Sequence, residues 1–335
     1  MSEGVVVSAF ATELAPEQQA VFDTIETTRE HIFVTGRAGT GKSTLLSHLS
    51  GHSSKQLVIC APTGVAALNV GGQTIHSLFR LPIGVIADHP IQQAADVRKL
   101  LNTIETLVID EVSMVNADLL DAVDRALRQA RQKPYEAFGG VQVVLFGDPY
   151  QLAPVPGDAD ERAYFGDQYR SMWFFDAKVW NDADLRIYEL GTIHRQHEEE
   201  FRFMLNAVRH GMVTAEIADR LNEVGARTPP EDSTITLATR NDSVNLINAK
   251  ALAQLPGRTL TAQAEITGEF SGRAYPADVE LQLKIGAQVM FLRNDSDQRW
   301  VNGSIGRVTR VTSTVFVEID GDEHEVQPVI WERFR

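Results

Sequence analysis

Hydrophobic positions in the first half of the chain are gathered into short continuous runs rather than spread in alternation. The runs cover residues 32–34, 57–59, 107–109 and 141–146. Continuous apolar runs of this length are typical of strands buried on both faces, as in parallel sheets. Helical periodicity lies between them, for example over 42–49 and 117–130. Strands that alternate with helices predict an open α/β sheet, which binds its ligands at the carboxyl ends of the strands.

The pattern changes in the second half of the chain. A helix is predicted over 198–210, and from Glu280 onward the apolar runs become short and β-like. These later runs cover residues 288–292, 305–311 and 315–319. The turns that border them contain Asn302-Gly303 and Asp320-Gly321, which are strong hairpin signals, so we expect a small barrel-like module here.

These changes of pattern divide the chain into three expected parts. The first is a domain over 1–185, the second is the start of another lobe over 186–285, and the third is a β-rich module over 286–335. Within the first domain, Pro82, Gly84 and Pro90 precede a polar helical stretch. We therefore interpret residues 79–105 as a small insertion in the sheet domain.

Composition narrows the class of protein. With 335 residues and 43% hydrophobic content, the chain can form two or three packed units. No apolar run is long enough to span a membrane and no signal core follows the first residues, so a cytoplasmic location is expected. The single cysteine, Cys60, excludes an intrachain disulfide and is expected to pack in a strand. His194 and His197 have no cysteine pair or carboxylate motif beside them, which predicts no structural zinc.

The strongest chemical motif follows the first apolar run, where residues 36–43 read GRAGTGKS. Glycines let the backbone turn its N–H groups toward phosphates, Lys42 can reach the outer phosphates, and the Ser43 hydroxyl can bind Mg²⁺. A flexible glycine loop is the alternative, but a strand before and a helix after favour nucleotide binding. The candidate nucleotide-binding residues in this segment are Gly36, Ala38, Gly39, Thr40, Gly41, Lys42, Ser43 and Thr44.

Two carboxylates, Asp110 and Glu111, come directly after the apolar run 107–109. Asp110 is suited to hold Mg²⁺ through water, and Glu111 is suited to orient and deprotonate the attacking water. An Asp-Glu pair alone is often a solvated turn. Together with a phosphate-binding loop upstream, it predicts hydrolysis of a nucleoside triphosphate.

A third polar segment, Gly147 to Gln151, follows the apolar run 141–146. It would bring Asp148 and Gln151 to the same edge of the sheet. Gln151 could donate a hydrogen bond to a γ-phosphate oxygen and lose it on hydrolysis, which would communicate the nucleotide state. An ordinary turn around Pro149 is the alternative. A GTPase would normally add an Asn-Lys-x-Asp motif, which this sequence lacks.

Taken in order, these motifs resemble those of the RecD/Pif branch of superfamily-one DNA helicases. The resemblance covers nearly the whole chain and includes 205–209, 238–241, 283–290 and 301–304. It implies a P-loop, RecA-like motor domain followed by a partial second motor lobe with an inserted small β-barrel. It also implies ATP and Mg²⁺ as cofactors, single-stranded DNA as partner and 5′-to-3′ movement.

The same resemblance assigns roles to particular residues. Residues 14–18, LAPEQ, are similar to the family's adenine-reading motif, which implies that Gln18 contacts the base. Residues 192–196, TIHRQ, resemble the fourth motif, whose arginine, here Arg195, reaches the γ-phosphate. The segments 61–68 and 72–77 resemble the first strand-binding motif. The implied DNA-binding residues are Thr63, Gly64, Thr74, His76 and Asn302.

Two features keep a second function open. The formal net charge is -14, whereas nucleic-acid binders generally show a basic surface, although a motor needs only a local track. In addition, no His-Lys-Ser-Gln-Gly-like final motif occurs before Arg335. We therefore expect ATP binding with slow hydrolysis and little unwinding of duplex DNA. The alternative to a motor is an ATP-dependent switch that controls a DNA- or protein-binding surface without moving.

Overall fold

The computed structural model describes residues 14–331 except 83, 88–89, 156, 193–198, 228–234, 268–276, 294, 296, 298 and 301–302. The chain divides into two compact units, Met1–Thr214 and Ala215–Arg335. The three-part division at 185 and 285, with an insertion at 79–105, remains a prediction. Over the described ranges, no helix is both long enough and apolar enough to cross a lipid bilayer.

A six-stranded sheet forms the centre of the first unit. Its strands are β1 (Ile32–Gly36), β2 (Leu57–Ala61), β3 (Gln73–Thr74), β4 (Thr106–Ile109), β5 (Gln142–Phe146) and β6 (Arg186–Leu190). The spatial order is β3-β2-β4-β5-β1-β6, and each neighbouring pair is parallel. The predicted α/β fold with a parallel sheet is therefore confirmed.

Nine α-helices are described in this unit, together with three 3₁₀ turns. The helices are α1 (Pro16–Thr27), α2 (Lys42–His52), α3 (Gly64–Asn69), α4 (Ile75–Phe79), α5 (Ala95–Thr103), α6 (Ala117–Arg131), α7 (Ala159–Gln168), α8 (Lys178–Asp182) and α9 (Glu199–Arg209). The 3₁₀ turns are Val112–Met114, Ala137–Gly140 and Phe174–Asp176.

The continuous apolar strands are explained by burial on both faces of the sheet. In β4, Leu107 and Ile109 contribute to one hydrophobic cluster, while Val108 between them contributes to the other. The first cluster includes apolar side chains of α4, α5 and α6, and the second includes those of α1 and α2. Every residue of β4 and β5 is buried. A strand with helices on both sides needs apolar side chains at every position, which is the observed pattern.

The second unit contains two helices and six strands among the described residues. They are α10 (Ala215–Gly225), α11 (Asn241–Gln254), β7 (Leu260–Gln263), β8 (Glu280–Leu283), β9 (Gln288–Met290), β10 (Ile305–Val311), β11 (Val315–Ile319) and β12 (Asp322–Val326). Strands β9 to β12 form an antiparallel sheet around a small core that includes Val308 and Val317. The predicted hairpin at Asp320-Gly321 joins β11 to β12, and both residues have positive φ, at 52° and 93°. That backbone suits the twist of a two-residue hairpin.

Candidate functional site

The polar segments that follow β1, β4 and β5 lie at one edge of the sheet. Val34 is aligned with Phe146, and Ile109 is aligned with Leu145, so these strands end at nearly the same level. The Gly147 N–H donates to the Val34 carbonyl at 3.2 Å. The carboxyl ends of parallel strands are where this class of sheet binds ligands.

The loop between β1 and α2 has the backbone of a phosphate-binding loop. Gly41 has φ of 83°, a left-handed conformation that strains other residues, and it caps the first turn of α2. Thr40 is buried, and its hydroxyl donates to the Arg37 carbonyl at 2.9 Å. Ser43 and Thr44 lie in the first turn of α2, where N–H groups and the helix dipole favour an anion. Gly36 ends β1, and Ala38 and Gly39 lie in the loop itself.

Lys42 is held against this loop and among carboxylates. Its Nζ donates to the carbonyl of Gly36 at 2.5 Å and to that of Arg37 at 3.2 Å. Burial lowers the pKa of Lys42, while the charges of Asp148, Glu111 and Asp110 act in the opposite direction. The structure therefore brings together the predicted lysine and the carboxylates that follow β4 and β5.

The two carboxylates after β4 have different surroundings. Burial raises the pKa of Asp110 to about 6, and the Asp110 N–H donates to the Cys60 carbonyl at 2.9 Å. Glu111 has φ of 49°, in the left-handed region that is uncommon for a residue with a side chain. It begins the 3₁₀ turn Val112–Met114. Unusual backbone of this kind is often found at functional sites, where surrounding structure maintains it.

Asp148 organises the segment after β5. It is 1% exposed, its Oδ1 accepts from the Tyr150 N–H, and its Oδ2 accepts from the Gln151 Nε2, both at 3.1 Å. Gln151 itself is exposed. Asp148 also accepts a hydrogen bond from Arg209 at the end of α9. Burial would raise the pKa of Asp148, but the hydrogen bonds from Arg209, Tyr150 and Gln151 hold it below its usual value.

Sequence reasoning gave Arg209 no role. The segment 205–209, which resembles the family, includes Arg209. The sequence alone does not distinguish an arginine that pairs with a carboxylate from one that is exposed to solvent. Its partner lies 61 positions earlier in the chain. Only the packing of α9 against the sheet edge reveals the pair.

Residues at the start of α1 form hydrogen bonds with the phosphate-binding loop and with the segment that follows β6. Gln18 is buried; its Nε2 donates to the Gly41 carbonyl at 3.0 Å, and its Oε1 accepts from the Ala15 N–H at 2.8 Å. The neighbouring Glu17 accepts from the N–H groups of Gly191 and Thr192, each at 3.0 Å. Glu17 is a second residue that sequence reasoning missed. The implied contact of Gln18 with an adenine base remains a proposal.

Four of the five predicted DNA-binding residues lie at or just beyond the carboxyl ends of β2 and β3, where Ala61 is aligned with Thr74. They are Thr63, Gly64, Thr74 and His76. The Thr63 hydroxyl accepts from the Ala66 N–H and the Thr74 hydroxyl from the Ser77 N–H, both at 3.2 Å. Thr74 thereby caps α4. Gly64 begins α3, and burial lowers the pKa of His76, which favours its neutral ring. A threonine hydroxyl that accepts one hydrogen bond through its oxygen can still donate another, through its O–H, to a phosphate.

Two predicted site residues, Arg195 and Asn302, lie outside the described residues.

The two predicted Mg²⁺ ligands are both oxygen donors. Ser43 offers a hydroxyl and Asp110 a carboxylate, and both are the oxygen ligands that Mg²⁺ prefers. A site completed by phosphate oxygens and water needs few protein ligands. The residues therefore fit the ion.

Comparison with known proteins identifies the family. A model described as PIF1-like helicase matches residues 13–219, and one described as the 2B domain of DNA helicase Pif1 matches residues 274–311. The ATP-dependent DNA helicase Pif1 of Bdellovibrio bacteriovorus is 33% identical over 315 residues, which cover 90% of this chain and 68% of the relative. Human ATP-dependent DNA helicase PIF1 is 33% identical, with 88% and 46% covered. This chain thus spans less than half of the human relative.

Solved structures lead to the same family. The Bacteroides Pif1 bound to ssDNA has a TM-score of 0.81 at 38% identity, with 93% of this chain and 74% of that chain covered. Bacteroides Pif1 in complex with ADP-AlF3 and ssDNA gives 0.80 at 37% identity, with the same coverage of 93% and 74%. Sequence and fold agree, and the chain belongs to the PIF1-like helicase family.

Proposed function

We propose that this chain hydrolyses ATP and uses the reaction to move along single-stranded DNA in the 5′-to-3′ direction. One observation carries the proposal: Lys42, the pair Asp110 and Glu111, and Asp148 follow the adjacent strands β1, β4 and β5, which end at nearly the same level. Its relatives are named ATP-dependent DNA helicases, and a Bacteroides relative was solved with ADP-AlF3 and ssDNA.

Each residue at this edge of the sheet would have a separate role in ATP hydrolysis. The N–H groups of residues 38–44 and the Lys42 ammonium would bind the phosphates. Glu111 would orient the attacking water and accept its proton, and Arg195 would reach the γ-phosphate. Ser43 and Asp110 would hold Mg²⁺, which neutralises phosphate charge when it is bound.

The exposed amide of Gln151 offers a means of reporting the nucleotide state. It donates to Asp148 at 3.1 Å and could exchange that acceptor for a γ-phosphate oxygen. Thr63, Gly64, Thr74, His76 and Asn302 would contact the strand. Phosphate contacts and base stacking do not depend on the base sequence of the DNA, which suits a motor that must move along any strand. A cytoplasmic location stays a prediction from the sequence.

The Glu111→Gln variant tests the role of the proposed base. The amide keeps the shape of the side chain but cannot accept the proton, so ATP turnover should fall by at least ~100-fold. Binding of a fluorescent ATP analogue should stay within about threefold of the parent, since the ground-state contacts remain. Glu136→Gln is the matched control, because Glu136 forms an exposed pair with Lys133 and should keep parental turnover. Parental turnover by Glu111→Gln would contradict the assignment.

A further inference from the structure

Arg209 and Asp148 form a largely buried ion pair at the edge of the site. The Arg209 Nη1 donates to Asp148, and the two side chains are 13% and 1% exposed. The guanidinium carbon lies 4.3 Å from the centre of the Tyr150 ring, which covers the pair on one side. Tyr150 also makes an edge contact with the His210 ring, at 5.9 Å between centroids. The end of α9 is therefore fixed to the turn that carries Gln151.

That turn also packs against the segment that carries the proposed base. A Cβ atom added at Gly147 would lie 2.8 Å from Val112 Cγ1 and 3.1 Å from the Ser113 nitrogen. Such spacing leaves no room for a side chain, so the residue before Asp148 touches the 3₁₀ turn begun by Glu111. A continuous set of contacts thus leads from Val112, which follows Glu111 in the chain, through Gly147 and Asp148 to Arg209.

We infer that Arg209 is a positioning residue, which couples helix α9 to ATP hydrolysis by orienting Asp148 and, through it, Gln151. The inference rests on the proposed function. Arg209 and Gln151 donate to the same oxygen, Oδ2 of Asp148. When Gln151 turns to a phosphate oxygen, Arg209 becomes the remaining side-chain donor to that oxygen among the described residues. The position of α9 then depends on the nucleotide state.

Stability alone does not account for the pair. Ionic groups lose their hydration on burial, so a buried pair often contributes little net stability compared with apolar side chains. Orientation of Asp148 is a better reason for the pair here, because the oxygen that Arg209 contacts also accepts from Gln151. Removing Arg209 would leave the Asp148 carboxylate buried without its charged partner and would let Gln151 move.

The test uses the full chain and compares Arg209→Ala, Arg209→Lys and Arg186→Ala. Arg186 is the matched control, since it also pairs with a carboxylate, Glu30 at 3.2 Å, and lies over a tyrosine ring, but is 56% exposed. We expect Arg209→Ala to lower kcat about 10- to 100-fold, the scale of misplaced catalytic groups, while ATP-analogue affinity stays within about threefold. Arg209→Lys should recover part of kcat, and Arg186→Ala should match the parent.

A double-mutant cycle separates positioning from a general loss of structure. If Arg209 acts through Asp148, the variant carrying Asp148→Asn and Arg209→Ala should be no slower than Asp148→Asn alone. Multiplicative losses would overturn the inference, as would parental kcat in Arg209→Ala. It would also be overturned if neither Arg209 variant binds the analogue. A parent chain that does not hydrolyse ATP would instead overturn the proposed function, and this inference with it.

Discussion

The carboxyl edge of the central sheet has two halves that are built differently. Beyond β1, β4 and β5, the nucleotide half gathers ionised side chains in buried surroundings; Asp148, for example, is 1% exposed. Beyond β2 and β3, the proposed DNA half offers neutral groups: the hydroxyls of Thr63 and Thr74 and the His76 ring, whose pKa is lowered by burial. Under the proposed function, this one sheet edge would recognise phosphates in two different ways.

The difference explains how an acidic chain can suit a nucleic-acid partner. Phosphoryl transfer needs fixed charges, because charge builds up on the reacting phosphate and preorganised groups stabilise it. A moving strand needs contacts that can be made and broken, and neutral hydroxyl donors meet that need. The net charge of -14 is thus compatible with a short local track.

The largest expected effect lies in the nucleotide half. Lys42→Ala should lower ATP turnover by at least ~100-fold, because it removes the cation that would stabilise charge at the outer phosphates. Steady-state ATPase assays would measure this, with Lys133→Ala as control, since Lys133 is exposed and forms an ion pair with the exposed Glu136. If Lys42→Ala retained more than a tenth of parental turnover, the nucleotide half would need another assignment.

The opposite, amino-terminal edge provides a contrast, because the half-buried His31 there has no proposed role in binding. His31 accepts from the Val143 N–H at 3.1 Å, and burial lowers its pKa to about 4. The unfolded chain, with a histidine pKa of about 6.5, takes up the proton first as pH falls. Stability from neutral His31 is thus present above about pH 6.5 and is lost between that pH and about pH 4.

Urea unfolding at pH 7 and pH 5 would measure the contribution of His31. We expect the parent to lose about 2 kcal/mol more over this interval than His31→Asn, in which the position does not titrate. The amide oxygen of asparagine can still accept the Val143 N–H. Equal losses in the two proteins would show that His31 does not control the acid response.

The smallest expected effect concerns the DNA half. Thr74→Ala should weaken binding to single-stranded DNA about tenfold, as expected for the loss of a hydrogen bond to a charged group worth roughly 1.5 kcal/mol. Thr74→Ser should keep most of the affinity. Fluorescence anisotropy would measure binding, and the affinity of the parent should fall as salt rises, because phosphate contacts release counterions.

Loss of the helix cap is a separate consequence of Thr74→Ala and needs its own control. Asp158 caps α7 through a hydrogen bond from the Glu161 N–H at 3.0 Å, so Asp158→Ala removes a cap elsewhere in the same unit. That variant should lose about 1 kcal/mol of stability without weaker DNA binding. Equal weakening by both variants would indicate that the effect of Thr74 comes from stability.

Local patterns predicted the elements of the fold well. The runs 305–311 and 315–319 are β10 and β11, and the helix predicted over 117–130 is Ala117–Arg131. A strand buried on both faces shows a continuous apolar run, and a helix with one buried face shows apolar residues at helical spacing. Both patterns can be recognised from the local sequence alone. The phosphate-binding loop was equally visible, because its chemistry is confined to eight neighbouring positions.

Contacts between distant segments could not be predicted in this way. Gln18 reaches the Gly41 carbonyl 23 positions away, Glu17 reaches Thr192 across 175 positions, and Arg209 reaches Asp148 across 61. Each contact depends on how helices α1 and α9 pack against the sheet. The roles of Gln18, Arg195 and Asn302 remain proposals from the family resemblance, and the role of Gln151 remains a prediction from its position after β5.

The proposed function requires the two halves of the edge to be coupled, so that DNA binding at β2 and β3 changes hydrolysis beside β1, β4 and β5. The most direct measurement is the rate of ATP turnover against the length of a single-stranded oligonucleotide, with Lys42→Ala as background. We expect a rate that rises with length and then levels off, because a longer strand allows more steps before release. A rate that is the same at every length and without DNA would contradict coupling and favour an ATP-dependent switch.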